Sequence, residues 1–330
     1  MAAELKDLEV SSPQPKSVRE AVRSTTIVES TRLSKHLDVE LTLASETFQH
    51  TGSFKFRAAY NLAAKVSQRE IIAASSGNFG QALAYACELL GKSCTVVMPK
   101  NSAQVKIDAV RSYGATVDLV DVNSKSRAER LSELAKERPK ACFTNAYDDP
   151  LIIQGNATLA EELCALNREF DCVVVPIGGG GLSSGLVSGF RRAGKEIKVF
   201  GAEPLLANDA AQSLRLGYIV KHESEPQTIA DGARTVSLGQ LNWEILRDGL
   251  AGIVEVPEDQ IKEGVRLLFN LANLKVEPTG ALAIGALLAD PERFRGQRVS
   301  CVISGGNVDA KVYGDIVNSS GLQSHSGTSI

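Results

Sequence analysis

The segment DCVVVPIGGGGLSSGLVSG (residues 171–189) joins an unbroken apolar run, Val173 to Val175, to four consecutive glycines and then to a helix-like pattern. A short run of β-branched residues without polar alternation reads as a strand buried on both faces, the pattern of a parallel sheet. Glycines let the backbone approach an anion closely, and the free amides at a helix start favour negative charge. A phosphate is therefore expected on Gly178, Gly179, Gly180 and Gly181, since a simple turn would not require four glycines. On the residues alone a dinucleotide fingerprint competes: Gly178 and Gly180 are followed by the acidic Glu203, although Ser183 takes the place of the third glycine. No Gly-Lys-Ser/Thr follows the glycines, which excludes a Walker loop.

Working outward, the same strand, loop and helix unit recurs along the chain. REIIAAS leads into GNFGQALAYACELLG, SCTVVMP into QVKIDAVRSYG, and ATVDLVDV into SKSRAERLSELAKERPK; IKVFGAEP and QRVSCVISGGN open further units. Such alternation predicts an α/β fold with parallel sheets covered by helices. Ligands in these folds sit at the carboxyl ends of strands, which directs attention to the loops there. Two more are rich in Gly and Ser: Ser75, Ser76, Gly77 and Asn78, and Ser304, Gly305, Gly306 and Asn307. Each could be an ordinary capped turn, and the first could equally hold a carboxylate. Three such loops in one chain point to one shared pocket.

Composition narrows the function classes. The 330 residues are 43% hydrophobic and 23% charged with a formal net charge of -3, and no basic run of five appears. Nucleic-acid and anionic-membrane partners are not expected. The N-terminus has mixed charge and no apolar core, and no apolar stretch approaches the roughly 20 residues of a membrane helix. A cytoplasmic protein is expected. Six scattered cysteines without a C-x-x-C pair read as free thiols, and four histidines far apart offer no zinc-like spacing. The polar stretch 318–330 reads as a flexible tail.

Lys55 lies in TGSFKFRAAYNLAAKV (residues 51–66), at the mouth of what reads as an amphipathic helix. A lysine there sits against the positive end of the helix dipole, an unfavourable position that suggests a use. An amine whose charge is suppressed is a nucleophile for carbonyl carbons.

TGSFKFRAA, SSGNFGQA, GGGGL, AEP and SGGNVD, in this order and spacing, resemble the serine/threonine dehydratase and serine racemase family of fold-type II pyridoxal-phosphate enzymes. The likeness runs from about Thr25 to about Val317 and displaces the dinucleotide reading. It implies two open, twisted, mostly parallel sheets flanked by helices, with the active site between a large domain (1–69 and 148–330) and a small one (70–147), in a homodimer. It implies that Lys55 carries pyridoxal phosphate as a Schiff base and serves as base. Phe54 would lie beside the ring, Asn78 would bond the ring hydroxyl, Gly178 to Leu182 would bind the phosphate, and Ser304 would face the ring nitrogen. Ser75, Asn78 and the amide of Phe79 would hold the substrate carboxylate, and Ser76 matches the second base of racemases.

The resemblance further implies a divalent cation, Mg²⁺, Mn²⁺ or Ca²⁺, held by Glu203, the carbonyl of Ala207, and Asp209, whose oxygen donors suit such ions. The expected reaction is elimination of water from a 3-hydroxy amino acid to give a 2-oxo acid and ammonia. Racemisation on the same scaffold is the alternative, with β-replacement behind it. Three departures from the family pattern bear on the substrate: Phe79 in place of a common histidine, Ala58 in place of glycine, and IIQGNAT in place of Gly-Gln-Gly-Thr. The chain leaves no room for an added regulatory domain, so control by one is not expected.

Overall fold

The computed structural model of the protein describes residues 17–319 apart from residues 76, 103 and 123. Two separate sheets carry the architecture. The larger runs in the order β1 (Thr26–Val28), β2 (Glu40–Ser45), β10 (Arg298–Ile303), β7 (Cys172–Pro176), β8 (Lys198–Pro204) and β9 (Gly252–Val256). Only the edge pair β1–β2 is antiparallel, so the two-sided burial expected of parallel strands applies to the rest. The smaller sheet, all parallel, is β5 (Thr116–Val120), β4 (Ser93–Pro99), β3 (Glu70–Ala74) and β6 (Cys142–Thr144). Among the described residues no helix is long and apolar enough to cross a membrane.

Strand β7 confirms the opening reading: all five of its residues are buried between β10 and β8. The Gly181–Arg192 helix packs on one of its faces and the Leu282–Ala289 helix on the other. Each fully buried valine there contributes about 1.5–3 kcal/mol relative to exposure. In the smaller sheet the Asn78–Leu89 and Gln104–Arg111 helices cover one face, while Leu134 of the Arg127–Glu137 helix packs with Ile72, Val97 and Val120 on the other.

The Lys55–Lys65 helix differs from the amphipathic element expected. Residues Phe56 to Ala63 are all buried, the polar Arg57 and Asn61 included. The helix lies between the Asn78–Leu89 and Pro150–Ala165 helices, which leave water only Lys55 at its start and Ala64 and Lys65 at its end. A Cβ on Gly155 would stand 2.5 Å from the Arg57 carbonyl oxygen and 2.8 Å from Ala58 Cα, so the glycine of IIQGNAT is required for this close crossing.

The Pro150–Ala165 helix also packs against the Gly181–Arg192 helix. Gly185 and Gly189, one turn apart, leave space for Asn156, Ala157 and Ala160: a Cβ on Gly185 would lie 2.6 Å from Asn156 Cβ, and one on Gly189 would lie 2.5 Å from Ala160 Cβ. The two helices that flank Lys55 and the glycine loop are thereby fastened to one common partner. The six cysteines are free, four of them buried. Residue 318 closes the last helix, Ala310–Asn318, and residues 320–330 of the expected tail lie outside the described residues.

Candidate active site

The loops after β3 and β10 meet the Lys55 turn through Asn78, Asn307 and Ser304, and the glycine loop after β7 packs on Tyr147, next to Ala146. The Phe54 amide donates to the Ser304 carbonyl at 3.0 Å, and Ser53 forms an isolated bridge with Gly305. These contacts set Lys55, the first residue of its helix, directly beside the end of β10. Lys55 Nζ donates to the Ala146 carbonyl at 3.0 Å and stands 5.0 Å from the Phe54 ring centre and 5.9 Å from that of Phe79. Burial lowers the amine from its ordinary value to about 8, against the opposing charge of Glu277. The result is an amine that loses its proton far more readily than a surface lysine.

The glycine loop is shaped for an anion. Gly180 adopts φ 93°, a left-handed conformation that favours glycine, and caps the Gly181–Arg192 helix without help from any side chain. Amides of the first helical turn have no partner inside the helix. The neighbouring loops hold the backbone in place: Asn242 Nδ2 donates to the carbonyls of Gly179 at 2.8 Å and Tyr147 at 3.1 Å. A Cβ on Gly179 would penetrate the Tyr147 ring, 2.3 Å from Cγ.

Ser75 turns out to serve its own loop, accepting from the Gly80 amide at 3.0 Å and the Gly77 amide at 3.4 Å. The capped-turn reading thus holds for the oxygen, whose own hydroxyl hydrogen stays available to an acceptor. Phe79 is buried in the core of the smaller sheet. Ser304 is also buried, and its hydroxyl has no hydrogen-bond partner. Ser76 lies outside the described residues.

Asn78 opens its helix and donates from Nδ2 to both carboxylate oxygens of Glu277, at 2.9 and 3.1 Å. Burial, together with the charge of Asp231, pushes Glu277 up to about 8; the Asn78 bond and the charges of Lys106 and Lys55 oppose this. Sequence reasoning missed Glu277, Tyr147 and Asn242. An acid inside the apolar stretch LKVEPTG was the one available signal for Glu277.

The expected metal residues gather at the end of β8. Glu203 accepts from the Ala210 and Ala211 amides, both at 2.9 Å, at the start of the Asp209–Leu216 helix. Asp209 is buried, neither of its carboxylate oxygens has a hydrogen bond of good geometry, and His222 Nε2 stands 3.7 Å away. Burial raises Asp209 to about 7, and it raises Glu203 well above the usual carboxylate value, with the Asp209 charge adding to the effect. Two buried acids this close favour a cation. Among the described residues no group of three His, Cys, Asp or Glu side chains is placed to hold a metal. A metal here therefore needs backbone and water oxygens as well.

A half-buried lysine with a depressed pKa, bonded to the Ala146 carbonyl next to the Tyr147 on which a glycine loop packs, is the arrangement of one class: enzymes that fix a phosphate-bearing carbonyl compound on an amine. The family model described as pyridoxal-phosphate dependent enzyme matches residues 18–305, and the chain belongs to that family. It is 36% identical over 305 residues to an L-threo-3-hydroxyaspartate ammonia-lyase of Saccharomyces cerevisiae, covering 91% of this chain and 93% of that one. A serine racemase of Schizosaccharomyces pombe is 32% identical over 300 residues, covering 90% of this chain and 92% of that protein. Among solved structures, a serine racemase of Dictyostelium discoideum superposes with a TM-score of 0.82 at 33% identity, covering 89% of this chain and 96% of that one. A threonine deaminase structure superposes with a TM-score of 0.84 at 37% identity, with the same two coverages, 89% and 96%. The fold is accordingly fold-type II, with pyridoxal phosphate as the cofactor. The residues present suit that group: an amine of lowered pKa for its aldehyde, a side-chain-free loop for its phosphate, and an unpartnered hydroxyl at Ser304.

Proposed function

We propose that this protein is an ammonia-lyase that removes water from a 3-hydroxy amino acid, giving a 2-oxo acid and ammonia, with pyridoxal phosphate held on Lys55. The observation that carries the reading is the Lys55 amine, lowered to about 8 and bonded to the Ala146 carbonyl, with the Ser304 carbonyl bonded to the adjacent Phe54 amide and the glycine loop packed on the neighbouring Tyr147. Bound cofactor supplies an electron sink for the charge left at the α-carbon.

The rest is the work of the chain. The amides of Gly178, Gly179, Gly180, Gly181 and Leu182 take the phosphate, and Phe54 packs beside the ring. Asn78 gives its amide hydrogen to the ring hydroxyl. Ser304, a neutral hydroxyl, would face the ring nitrogen and would not force a proton onto it. The Ser75 hydroxyl and the amides of Asn78 and Phe79 hold the substrate carboxylate. With substrate bound, the free Lys55 amine would take the α-proton.

Names of relatives support the substrate class: hydroxyaspartate and threonine ammonia-lyases act on 3-hydroxy amino acids. Racemisation is the second reading, favoured by the serine racemase likeness and by Ser76 at the place of a second base. We further assign a divalent cation to Glu203, the Ala207 carbonyl and Asp209, supported by the burial of both acids and by Asp209 oxygens without a hydrogen bond of good geometry. Residues 1–69 with 148–330 and residues 70–147 are proposed as large and small domains of a cytoplasmic homodimer, the smaller sheet lying wholly within the second.

The test is a panel of L- and D-3-hydroxy amino acids, 3-hydroxyaspartate, serine and threonine included, scored for ammonia release and change of chirality with and without chelator. Ammonia with visible Lys55-dependent cofactor absorbance supports the reading. Protein without that absorbance refutes it, and inversion without ammonia transfers the assignment to a racemase.

A further inference from the structure

Beneath Asn78 runs a chain of side chains that the reaction above does not use. Asn307 Nδ2 donates to the Thr51 carbonyl at 2.7 Å and to Asn78 Oδ1 at 2.9 Å, and Asn78 Nδ2 donates to Glu277. The order of donors is not interchangeable. A backbone carbonyl only accepts, so the Asn307 atom facing it must be the amide nitrogen; its second hydrogen then requires oxygen from Asn78, which leaves the Asn78 nitrogen facing Glu277.

The anchor of the chain is itself unusual. Thr51 is a β-branched residue at φ 59°, ψ 16°, a conformation costing on the order of 1–3 kcal/mol. Gly52 follows at φ 73°, and a Cβ there would lie 2.4 Å from Asn307 Oδ1. This strained turn immediately precedes Lys55 and aims a carbonyl at Asn307. The other end of the chain is a carboxyl group faced by Asp231, Lys106, Lys55 and Asn78 from four different elements.

We propose that Thr51, Asn307 and Glu277 form a one-way hydrogen-bond chain that fixes the Asn78 amide with its donor edge toward the ring hydroxyl of the bound cofactor. Asn307 and Glu277 are positioning residues, acting through Asn78. One hydrogen of Asn78 Nδ2 is spent on Glu277, so the other is the single hydrogen left for the ring oxygen. Bonds in such a chain strengthen one another in a low-dielectric interior. The inference rests on the role of Asn78 in the proposed function.

Reversing the chain tests it. Asn307→Asp puts an acceptor against Asn78, whose amide must flip and present its oxygen to both Glu277 and the ring hydroxyl. Holoenzyme reconstituted with pyridoxal phosphate is read by cofactor dissociation constant and by the pH midpoint of the visible Lys55-linked chromophore. Asn307→Asp raises the dissociation constant about tenfold or more and shifts the chromophore midpoint upward, because the ring hydroxyl then keeps its proton. Glu277→Gln alone has a small effect, since its carbonyl still accepts from Asn78. Added to Asn307→Asp, it recovers only part of the lost affinity, because the new amide can donate to the flipped Asn78, while the chromophore midpoint stays raised because the ring hydroxyl still meets oxygen.

Independent effects of the two substitutions together with an unmoved chromophore overturn the chain. If Asn307→Asp does not fold, by circular dichroism, Asn307→Ser gives the same reading: it cannot reach both acceptors, and an unchanged midpoint and affinity refute the chain. A parent protein that forms no Lys55-dependent chromophore refutes the proposed function itself and is recognised before any variant is made.

Discussion

Arg57→Met removes the cation at the centre of a buried ionic network. Arg57 is buried two residues after Lys55 and spans three elements: Nε and Nη2 donate to Glu46 at 2.7 and 2.9 Å, Nη1 to Glu162 at 2.7 Å and Thr158 at 3.0 Å, and Nη2 also to Thr25 at 2.8 Å. Glu46 has no exposed side-chain surface, whereas 29% of the Glu162 side chain is exposed. Removing the guanidinium leaves the Glu46 carboxylate buried with only Thr25 as side-chain donor, at 2.8 Å. Breaking a buried pair from one side costs about 3–5 kcal/mol, a factor of roughly 10² to 10³ or more in the folding equilibrium. Water reaches Glu162, so most of that cost falls on Glu46.

The assay is guanidinium unfolding of the cofactor-free protein followed by circular dichroism, for Arg57→Met, Glu46→Gln and the double variant. If the unpaired charge is the cause, Glu46→Gln in the Arg57→Met background restores about 1–3 kcal/mol, although it is destabilising alone. A loss below about 1 kcal/mol for Arg57→Met, or a double variant no better than the single one, refutes the reasoning. Arg57→Lys is expected to rescue poorly, because one ammonium cannot span donors aimed at Glu46, Glu162 and Thr158 together.

Lys55→Ala removes the cofactor chromophore, and in the parent protein capture of pyridoxal phosphate rises as pH passes about 8, not 10.5, in stopped-flow absorbance. Because the folded pKa lies below the unfolded one, cofactor-free protein carries a penalty below about pH 8 that fades toward 10.5; Lys55→Met should abolish that rise in a pH series of unfolding midpoints. Glu277 has the opposite sign, its folded value of about 8 lying above the ordinary carboxylate range, so its stabilisation is full below about pH 4.5 and is lost as pH rises through 8. Glu277→Gln should flatten that part of the profile. Gly179→Ala forces its methyl into Tyr147 and should weaken cofactor affinity by about 5- to 150-fold, measured by absorbance titration. Asp209→Asn should abolish any thermal stabilisation by Mg²⁺; equal stabilisation in both proteins rules out the assigned cation site.

Strand β7 and its glycine loop were legible because an unbroken apolar run and four glycines permit few other structures. Lys55 was legible from its position at a helix start. Burial of its helix on all sides was not, since Arg57 and Asn61 look like a solvated face until partners distant in sequence are known. Strands β1 and β6, at three residues each, are too short to show a period. Asn307 was visible only as a turn residue, because its partners Thr51 and Asn78 lie 256 and 229 positions away. The pattern of local residues reveals loops that bind; it does not reveal which side chains aim them.

The shared packing of the Pro150–Ala165 helix has a metrical consequence. Gly155 brings it against the helix of Lys55, while Asn156, Ala157 and Ala160 bring it against the helix of the glycine loop. One rigid rod thus works as a calliper, setting the span between Lys55 and the glycine loop, to which we assign an aldehyde and a phosphate. Compounds in which those two groups are separated by a different length would be turned away by backbone geometry alone. Adding a methyl at Gly155 or Gly185 would open the jaws without altering any residue assigned to the ligand.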